Sequence, residues 1–189
     1  DWHYTVWRDH VWPVPAAPAV NLLLAALPHG ERQQFLAGCE PVELAFADIL
    51  AEPGEPVRHA YFPVGSVISV RLPVHGHAGV EVGLIGNEGM LGISLILGVE
   101  ASPLYALVQD GGPALRMAAA SFLLGLERSP ELRRGLKRYL YVVLGQLAQT
   151  IACTRFHIVE ARLARWLLMT RDRTHADAFH ATHESLALR

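Results

Sequence analysis

Residues 64–90 read VGSVISVRLPVHGHAGVEVGLIGNEGM, two runs rich in valine and isoleucine that are each followed by a glycine-containing turn. The same pattern extends in both directions, because short apolar runs between residues 42 and 117 alternate with turns such as EPGEP (52–56) and DGGP (110–113). Runs of strand length at regular turn spacing are typical of an antiparallel sandwich or barrel. No long helical pattern interrupts them, which argues against a parallel α/β sheet.

After Ala118 the apolar period becomes helical. One stripe recurs at helical spacing and consists of Leu136, Leu140, Val143, Leu147 and Ile151. Val142, Leu144 and Ala148 widen it, so the helix is apolar on more than one side and must be buried on more than one side. We expect it to pack against the β module and, through the stripe, against a second copy of itself in a two-helix coiled coil. The alternative is a single amphipathic helix that lies on its own sheet.

A second, arginine-rich helix is predicted at about residues 157–170, and THESLALR (182–189) begins like a capped helix.

Charge is distributed unevenly: residues 1–130 hold 6 Lys and Arg against 13 Asp and Glu, whereas residues 131–189 hold 10 against 5. An acidic body with a basic end suggests that the end meets an anion, and nucleic acid is the first candidate. The alternative is a helix with a solvated basic face.

Composition excludes several classes of protein. With 189 residues, 51% apolar and 18% charged, the chain is neither disordered nor long enough for two full-sized domains. The charge-free stretch 139–154 is shorter than the roughly 20 residues that span a bilayer. Two cysteines, Cys39 and Cys153, cannot form a disulfide framework, so a reducing cytoplasm is the expected location. No nucleophile motif, phosphate loop or useful pair of carboxylates is found, and we expect neither enzyme activity nor a cofactor.

One motif supports a different hypothesis. His75, His77 and Glu81 have the H-x-H-x-x-x-E spacing of the first metal motif of cupins, which are also antiparallel jelly rolls. Such ligands would suit iron, manganese or nickel. However, the leading glycine of the motif is replaced by Ser69, and no second motif with a downstream histidine follows. A cupin-type metal enzyme is therefore the alternative to a binding protein.

Four stretches resemble the Crp/Fnr family of bacterial transcription regulators: EPGEPVRHAYFPVGSVISV (52–70), IGNEGMLGISLILGV (85–99), RYLYVVLGQLAQTIACTRFHIVEARLARWLLMTRDR (138–173) and THESLA (182–187). The resemblance covers about residues 21–189. It implies a mainly β, α+β chain: an antiparallel β-roll (jelly roll) sensor domain with flanking helices, a long C-terminal dimerisation helix, and the first helix or two of a winged helix-turn-helix.

The resemblance divides the chain into four parts. These are an extension (1–20), a cyclic nucleotide-binding-like β-roll (21–130), a dimerisation helix (131–154) and the start of a truncated helix-turn-helix domain (155–189). It implies a homodimeric regulator that binds DNA and has no membrane partner. The helix that reads bases would lie beyond Arg189, so we expect weak, salt-sensitive or undetectable DNA binding by this chain. In a full-length protein, contacts to DNA phosphates are expected from Arg162, Arg165, Arg171 and Arg173. Such contacts position the protein on the DNA but do not specify the base sequence.

The sequence departs from the cyclic-nucleotide-binding members of the family at their ligand site. Those members carry a Gly-Glu pair and a later Arg, whereas here Gly92 precedes Ile93 and the Arg position falls near Ser102 and Pro103. An isoleucine cannot accept a ribose hydroxyl, and a serine supplies no cation for a phosphate. We therefore expect an effector other than cyclic AMP. The predicted pocket residues are Gly92, Ile93, Ser94, Ser102, Pro103, Leu104, Tyr105, Gln146 and Gln149.

Overall fold

The computed structural model describes residues 20–75 and 77–174 of the chain. Within them the backbone forms seven strands: β1 (Glu40–Leu44), β2 (Ile49–Ala51), β3 (His59–Pro63), β4 (Val67–Val74), β5 (His77–Ile85), β6 (Tyr105–Asp110) and β7 (Gly112–Ala118). The helices are α1 (Leu22–Ala25), α2 (His29–Leu36), α3 (Ala119–Arg128), α4 (Pro130–Phe156) and α5 (Val159–Thr174), with a 3-10 helix at Ile93–Leu97. The predicted extension and THESLALR lie outside the described residues.

The strands form two antiparallel sheets. One has the order β1-β7-β3 and the other has the order β2-β6-β4-β5. Strands β4 and β5, which correspond to the two apolar runs of residues 64–90, form an antiparallel hairpin with Ile68 opposite Ile85 and a bulge between Val70 and Arg71. The predicted antiparallel β-roll with flanking helices is thus confirmed.

The main core lies between the β1-β7-β3 sheet and the helices. Its centre is a cluster of three phenylalanines, Phe35 of α2, Phe62 of β3 and Phe122 of α3, whose ring centroids are 5.5 to 6.4 Å apart. Edge-to-face aromatic pairs of this kind add stabilisation beyond the area that they bury. Asn21 caps α1 and its side-chain amide donates to the carbonyl oxygens of Pro63 and Gly89, which fixes the start of the described chain against the roll.

Helix α4 begins at the cap residue Ser129, whose hydroxyl accepts from the backbone N–H of Leu132. Its first half belongs to the core, because Leu132, Leu136 and Tyr139 are buried with the phenylalanines. The helix ends at His157, whose backbone N–H donates to the carbonyl oxygen of Cys153. Among the residues described, no helix has both the length and the apolar character to cross a membrane.

Helix α5 lies on the outer face of the four-stranded sheet. The Trp166 ring is buried in a small cluster with Val67 of β4 and Leu84 of β5. Near the end of the helix, the Arg173 guanidinium donates to the carbonyl oxygen of Leu84 at 3.2 Å. The predicted second helix therefore exists, shifted by a few residues, and it is packed on the roll.

Candidate functional site

A cleft opens between the four-stranded sheet, the 3-10 helix and α4. Its volume is about 880 Å³, a figure that includes open solvent at its mouth. The sheet side includes Leu50, Ala51, Val57, His59, Val70, Val82, Gly83, Leu84, Ile85 and Ala106. The remaining lining residues are Met90, Leu91, Gly92, Ile93, Ser94, Ser102, Leu104, Tyr139, Val143, Gln146 and Leu147.

Six of the nine predicted pocket residues line this cleft, namely Gly92, Ile93, Ser94, Ser102, Leu104 and Gln146. Gly92 precedes the 3-10 helix at a φ of 102°, where only glycine fits easily, and a Cβ there would stand 3.3 Å from the Ala60 Cα. This glycine lets the segment that carries Ile93 and Ser94 approach strand β3 closely.

The other three predicted pocket residues, Pro103, Tyr105 and Gln149, do not line the cleft. Ser102, Leu104 and Ala106 line it, and the two-residue alternation of strand β6 turns Tyr105 to the face opposite that of Ala106. Gln149 lies on the flank of α4, where its amide nitrogen is 3.5 Å from the Cys153 sulfur. The part that these three residues play in binding an effector stays a prediction.

The lining is apolar and carries no aspartate, glutamate, lysine or arginine among the described residues. Burial, followed by the nearby charges of Arg116 and Arg58, lowers the pKa of His59, which favours its uncharged ring. Burial also raises the pKa of Tyr139 to about 12, and its hydroxyl lies 3.4 Å from the Met90 carbonyl oxygen. The cleft therefore presents neutral hydrogen-bonding groups in an apolar wall.

Several residues of the cleft were not predicted. His59, Met90 and Leu91 contribute to it, and no sequence signal distinguishes them from ordinary strand and loop residues. Val70 could have been found, because β4 alternates between the interior and the outer face. Tyr139 lines the cleft and also packs into the main core.

The turn at residues 86–89 joins the cleft to both long helices. A Cβ at Gly86 would stand 2.9 Å from the Cβ of Arg173, and a Cβ at Gly89 would overlap the Tyr139 hydroxyl. Glu88 pairs with Arg173 at 2.8 Å. Since Met90 and Leu91 follow directly and line the cleft, this turn contacts α4, α5 and the cleft at once.

The four arginines predicted to contact DNA phosphate have different environments. Arg173 is buried and bound to Glu88, so it is not available to a phosphate, and that prediction was wrong. Arg165 is half-buried and donates to the Thr150 hydroxyl at 3.3 Å. Arg162 is half-buried and Arg171 is exposed.

The predicted dimer stripe is divided between two sides of α4. Leu136 is fully buried within its own chain, which leaves it no surface for a partner, so its assignment to a dimer interface was wrong. Leu140, Val143 and Leu147 are partly buried, and the last two line the cleft. The side of the helix that faces away from the roll exposes Tyr141, Leu144, Ala148 and Ile151. Their spacing of three, four and three is that of a coiled-coil seam. We call these four residues the outer seam.

Of the cupin alternative, the side chains of His75 and Glu81 are described, whereas that of His77 lies outside the described residues. Among the described residues, no group of three or more His, Cys, Asp or Glu side chains is arranged to hold a metal ion. The Glu81 carboxylate instead accepts a hydrogen bond from the Ser69 hydroxyl at 2.6 Å, and His75 lies in the exposed turn of the hairpin. The structure does not support a cupin-type enzyme.

No protein-family model and no curated protein match the sequence. Solved structures do match. The c-di-GMP responsive global regulator CLP of Xanthomonas campestris is similar at a TM-score of 0.70 and 14% identity, over 85% of this chain and 84% of that one. A putative transcriptional regulator of the Crp/Fnr family from Eubacterium rectale is similar at a TM-score of 0.71 and 10% identity, over 88% and 78%.

The catabolite activator protein of Thermus thermophilus is similar at a TM-score of 0.59 and 17% identity, over 87% of this chain and 78% of that one. These neighbours are transcription regulators. Their likeness confirms that the chain has the β-roll fold of the Crp/Fnr regulators, as the sequence resemblance implied. At sequence identities of 10–17%, this structural likeness establishes the fold alone.

Proposed function

We propose that this chain is the sensor and dimerisation part of a Crp/Fnr-like transcription regulator that acts as a homodimer in the cytoplasm and responds to a small effector. One observation carries the proposal: α4 lines the apolar cleft with one face and exposes the outer seam on another. Tyr139, Val143, Gln146 and Leu147 line the cleft, while Tyr141, Leu144, Ala148 and Ile151 face solvent in the single chain.

This arrangement couples ligand binding to subunit packing. An effector in the cleft touches α4, and α4 also forms the subunit contact. An effector that binds more tightly to one arrangement of the two α4 helices than to the other shifts the dimer toward that arrangement. Because α5 directly follows α4, its position changes with the dimer. The predicted start of the helix-turn-helix at Thr182 lies outside the described residues, and DNA is the macromolecular partner that we propose for the regulator.

The effector is proposed to differ from a nucleotide. The regulator CLP is described as c-di-GMP responsive, and cyclic AMP is the ligand of the family members from which this sequence departs. Both compounds are anions. Within the described residues, the cleft offers no cation, since Arg116 is bound to Glu40 at 2.7 Å and does not line it.

Replacing Leu144 by glutamate is expected to dissociate the dimer. The side chain is 57% exposed in the single chain and lies in the outer seam, so two carboxylates would meet across the two-fold axis in an apolar interface. We expect the dimer dissociation constant to rise by a factor of about 10 or more, equivalent to about 1.4 kcal/mol. Sedimentation velocity over a range of protein concentrations measures this directly.

Leu124→Glu is the matched control for this test. Leu124 is 51% exposed and also lies on a helix, α3, but it is outside the outer seam. The control is expected to sediment like the wild type. A wild-type chain that is a lone protomer at micromolar concentration, or an equal effect of the two variants, would contradict the proposed dimer.

A further inference from the structure

We propose that the cleft binds an uncharged, largely apolar small molecule that carries a few hydrogen-bonding groups. The proposal rests on the proposed function, because it names the class of effector that the cleft would take.

The first observation is the size of the apolar wall. Leucine, isoleucine, valine and methionine side chains from the sheet, the 3-10 helix and α4 form most of the lining. Removing apolar surface from water stabilises a complex by about 25 cal/mol per Å². A ligand that fills this space with an aromatic or aliphatic body gains that stabilisation, whereas a sugar phosphate would place polar oxygens against hydrocarbon.

The second observation is the charge of the site. A phosphate or carboxylate in this cleft would lose its water without gaining a cation, which is costly. Arg116 cannot serve, because its guanidinium makes two hydrogen bonds to the Glu40 carboxylate, at 2.7 and 3.2 Å. Arg58 is exposed and is not among the lining residues described.

The third observation is unused hydrogen-bonding capacity. Within the described part of the chain, the Ser94 hydroxyl and the Gln146 side-chain amide have no hydrogen-bond partner, although both residues line the cleft. The Ser102 oxygen accepts from the backbone N–H of Leu104 at 3.1 Å, which leaves its own proton free to donate. These are neutral donors and acceptors, and they suit hydroxyl, amine, ether or carbonyl groups on a ligand.

Two dyes of the same shape test the charge requirement. N-phenylnaphthylamine is neutral, and anilinonaphthalene sulfonate has the same ring system with an added sulfonate. We expect the wild-type dimer to bind the neutral dye about 10 times more tightly than the anion, measured by calorimetry and fluorescence titration. Cyclic AMP is not expected to displace the neutral dye.

Variants locate the dye. Val143→Trp and Leu147→Trp fill the cleft from α4 and are each expected to weaken binding of the neutral dye by a factor of about 10. Val142→Trp is the matched control, because Val142 is adjacent to Val143 on the same helix, is exposed and does not line the cleft. Its affinity for the dye should equal that of the wild type. Two filling variants are used so that misfolding of one does not remove the test. Circular dichroism checks the fold of each.

A third variant adds the missing charge. Ser102→Arg places a guanidinium at the cleft wall and is expected to reverse the preference, so that the sulfonate binds more tightly than the neutral dye. The reversal would show that the absence of a cation, and not the shape of the cleft, excludes anions from the wild type.

The outcomes separate this proposal from the proposed function. If the sulfonate or cyclic AMP binds the wild type as tightly as the neutral dye and Val143→Trp abolishes that binding, the cleft is a ligand site and only the ligand class is overturned. If the neutral dye binds both filling variants as tightly as it binds the wild type, the dye lies outside the cleft and the proposal is overturned. If no dye binds the wild type, the ligand class and the effector-responsive role both fail, while the dimer test remains independent.

Discussion

Replacing Trp166 by alanine is expected to release helix α5 from the β-roll. The indole is buried against Val67 and Leu84 and is the largest side chain that holds the helix to the sheet. Truncation of a buried aromatic residue to alanine costs about 3–5 kcal/mol, and the β-roll core lies elsewhere, so the loss should fall mainly on the docking of α5. Hydrogen exchange is the appropriate measurement. Amides of residues 159–174 should lose protection while those of β4 and β6 keep it.

Leu168→Ala is the control for this prediction. Leu168 lies on the same helix but is exposed, so its truncation should change protection of α5 very little. Uniform loss of protection over the whole chain in Trp166→Ala would mean that α5 is part of a single cooperative unit with the roll. Unchanged protection of α5 would mean that the Trp166 contact does not hold the helix.

The strand content and the two-sided character of α4 could be predicted because they are encoded in local periodicity. The strands β4 and β5 follow from two apolar runs separated by a glycine-containing turn, and the helical character of α4 follows from the apolar stripe between Leu136 and Ile151. The location of the predicted pocket at Gly92–Ile93 and Ser102 came from the family resemblance, and these three residues are among those that line the cleft.

The face of α4 that meets each neighbour could not be predicted from periodicity. Apolar residues surround this helix, and the assignment of faces depends on where the phenylalanine core of the roll lies. Leu136 was placed in the dimer stripe, yet it packs into that core with Leu132. The exposed apolar residues are those of the outer seam, Tyr141, Leu144, Ala148 and Ile151. The apolar pattern alone does not distinguish this exposed set from the buried one.

The burial of Arg173 could also not be predicted from the sequence. An arginine in a basic helix ordinarily faces solvent, and its buried position here requires Glu88, 85 residues earlier in the sequence, at the end of its side chain. Gly86 makes the approach possible, because any side chain there would collide with the stem of Arg173. Long-range pairs of this kind are set by tertiary structure. The count of charges along the sequence therefore suggested DNA phosphate as the partner of Arg173, whereas the structure pairs it with Glu88.

The Glu88–Arg173 pair yields a prediction with an asymmetric result. The Arg173 side chain is 8% exposed and that of Glu88 is 34% exposed. Glu88→Ala leaves a buried guanidinium without its counter-ion, whereas Arg173→Met leaves a carboxylate that water can reach and fills the space with an apolar chain. Breaking a buried pair costs about 3–5 kcal/mol, and the partial exposure of Glu88 reduces our expectation for Glu88→Ala to about 2–3 kcal/mol. Arg173→Met should cost less than half of that.

The double variant Glu88→Ala/Arg173→Met completes the cycle. Since replacing both members of a buried pair by apolar groups is often nearly neutral, it should be more stable than Glu88→Ala alone. Chemical denaturation gives the free energies of unfolding, and hydrogen exchange of residues 159–174 shows whether the loss is confined to α5. If the two single effects simply add, or if Arg173→Met is the more damaging change, the ion pair does not hold α5 to the turn that borders the cleft. A positive coupling would make that turn a physical link between the cleft and helix α5.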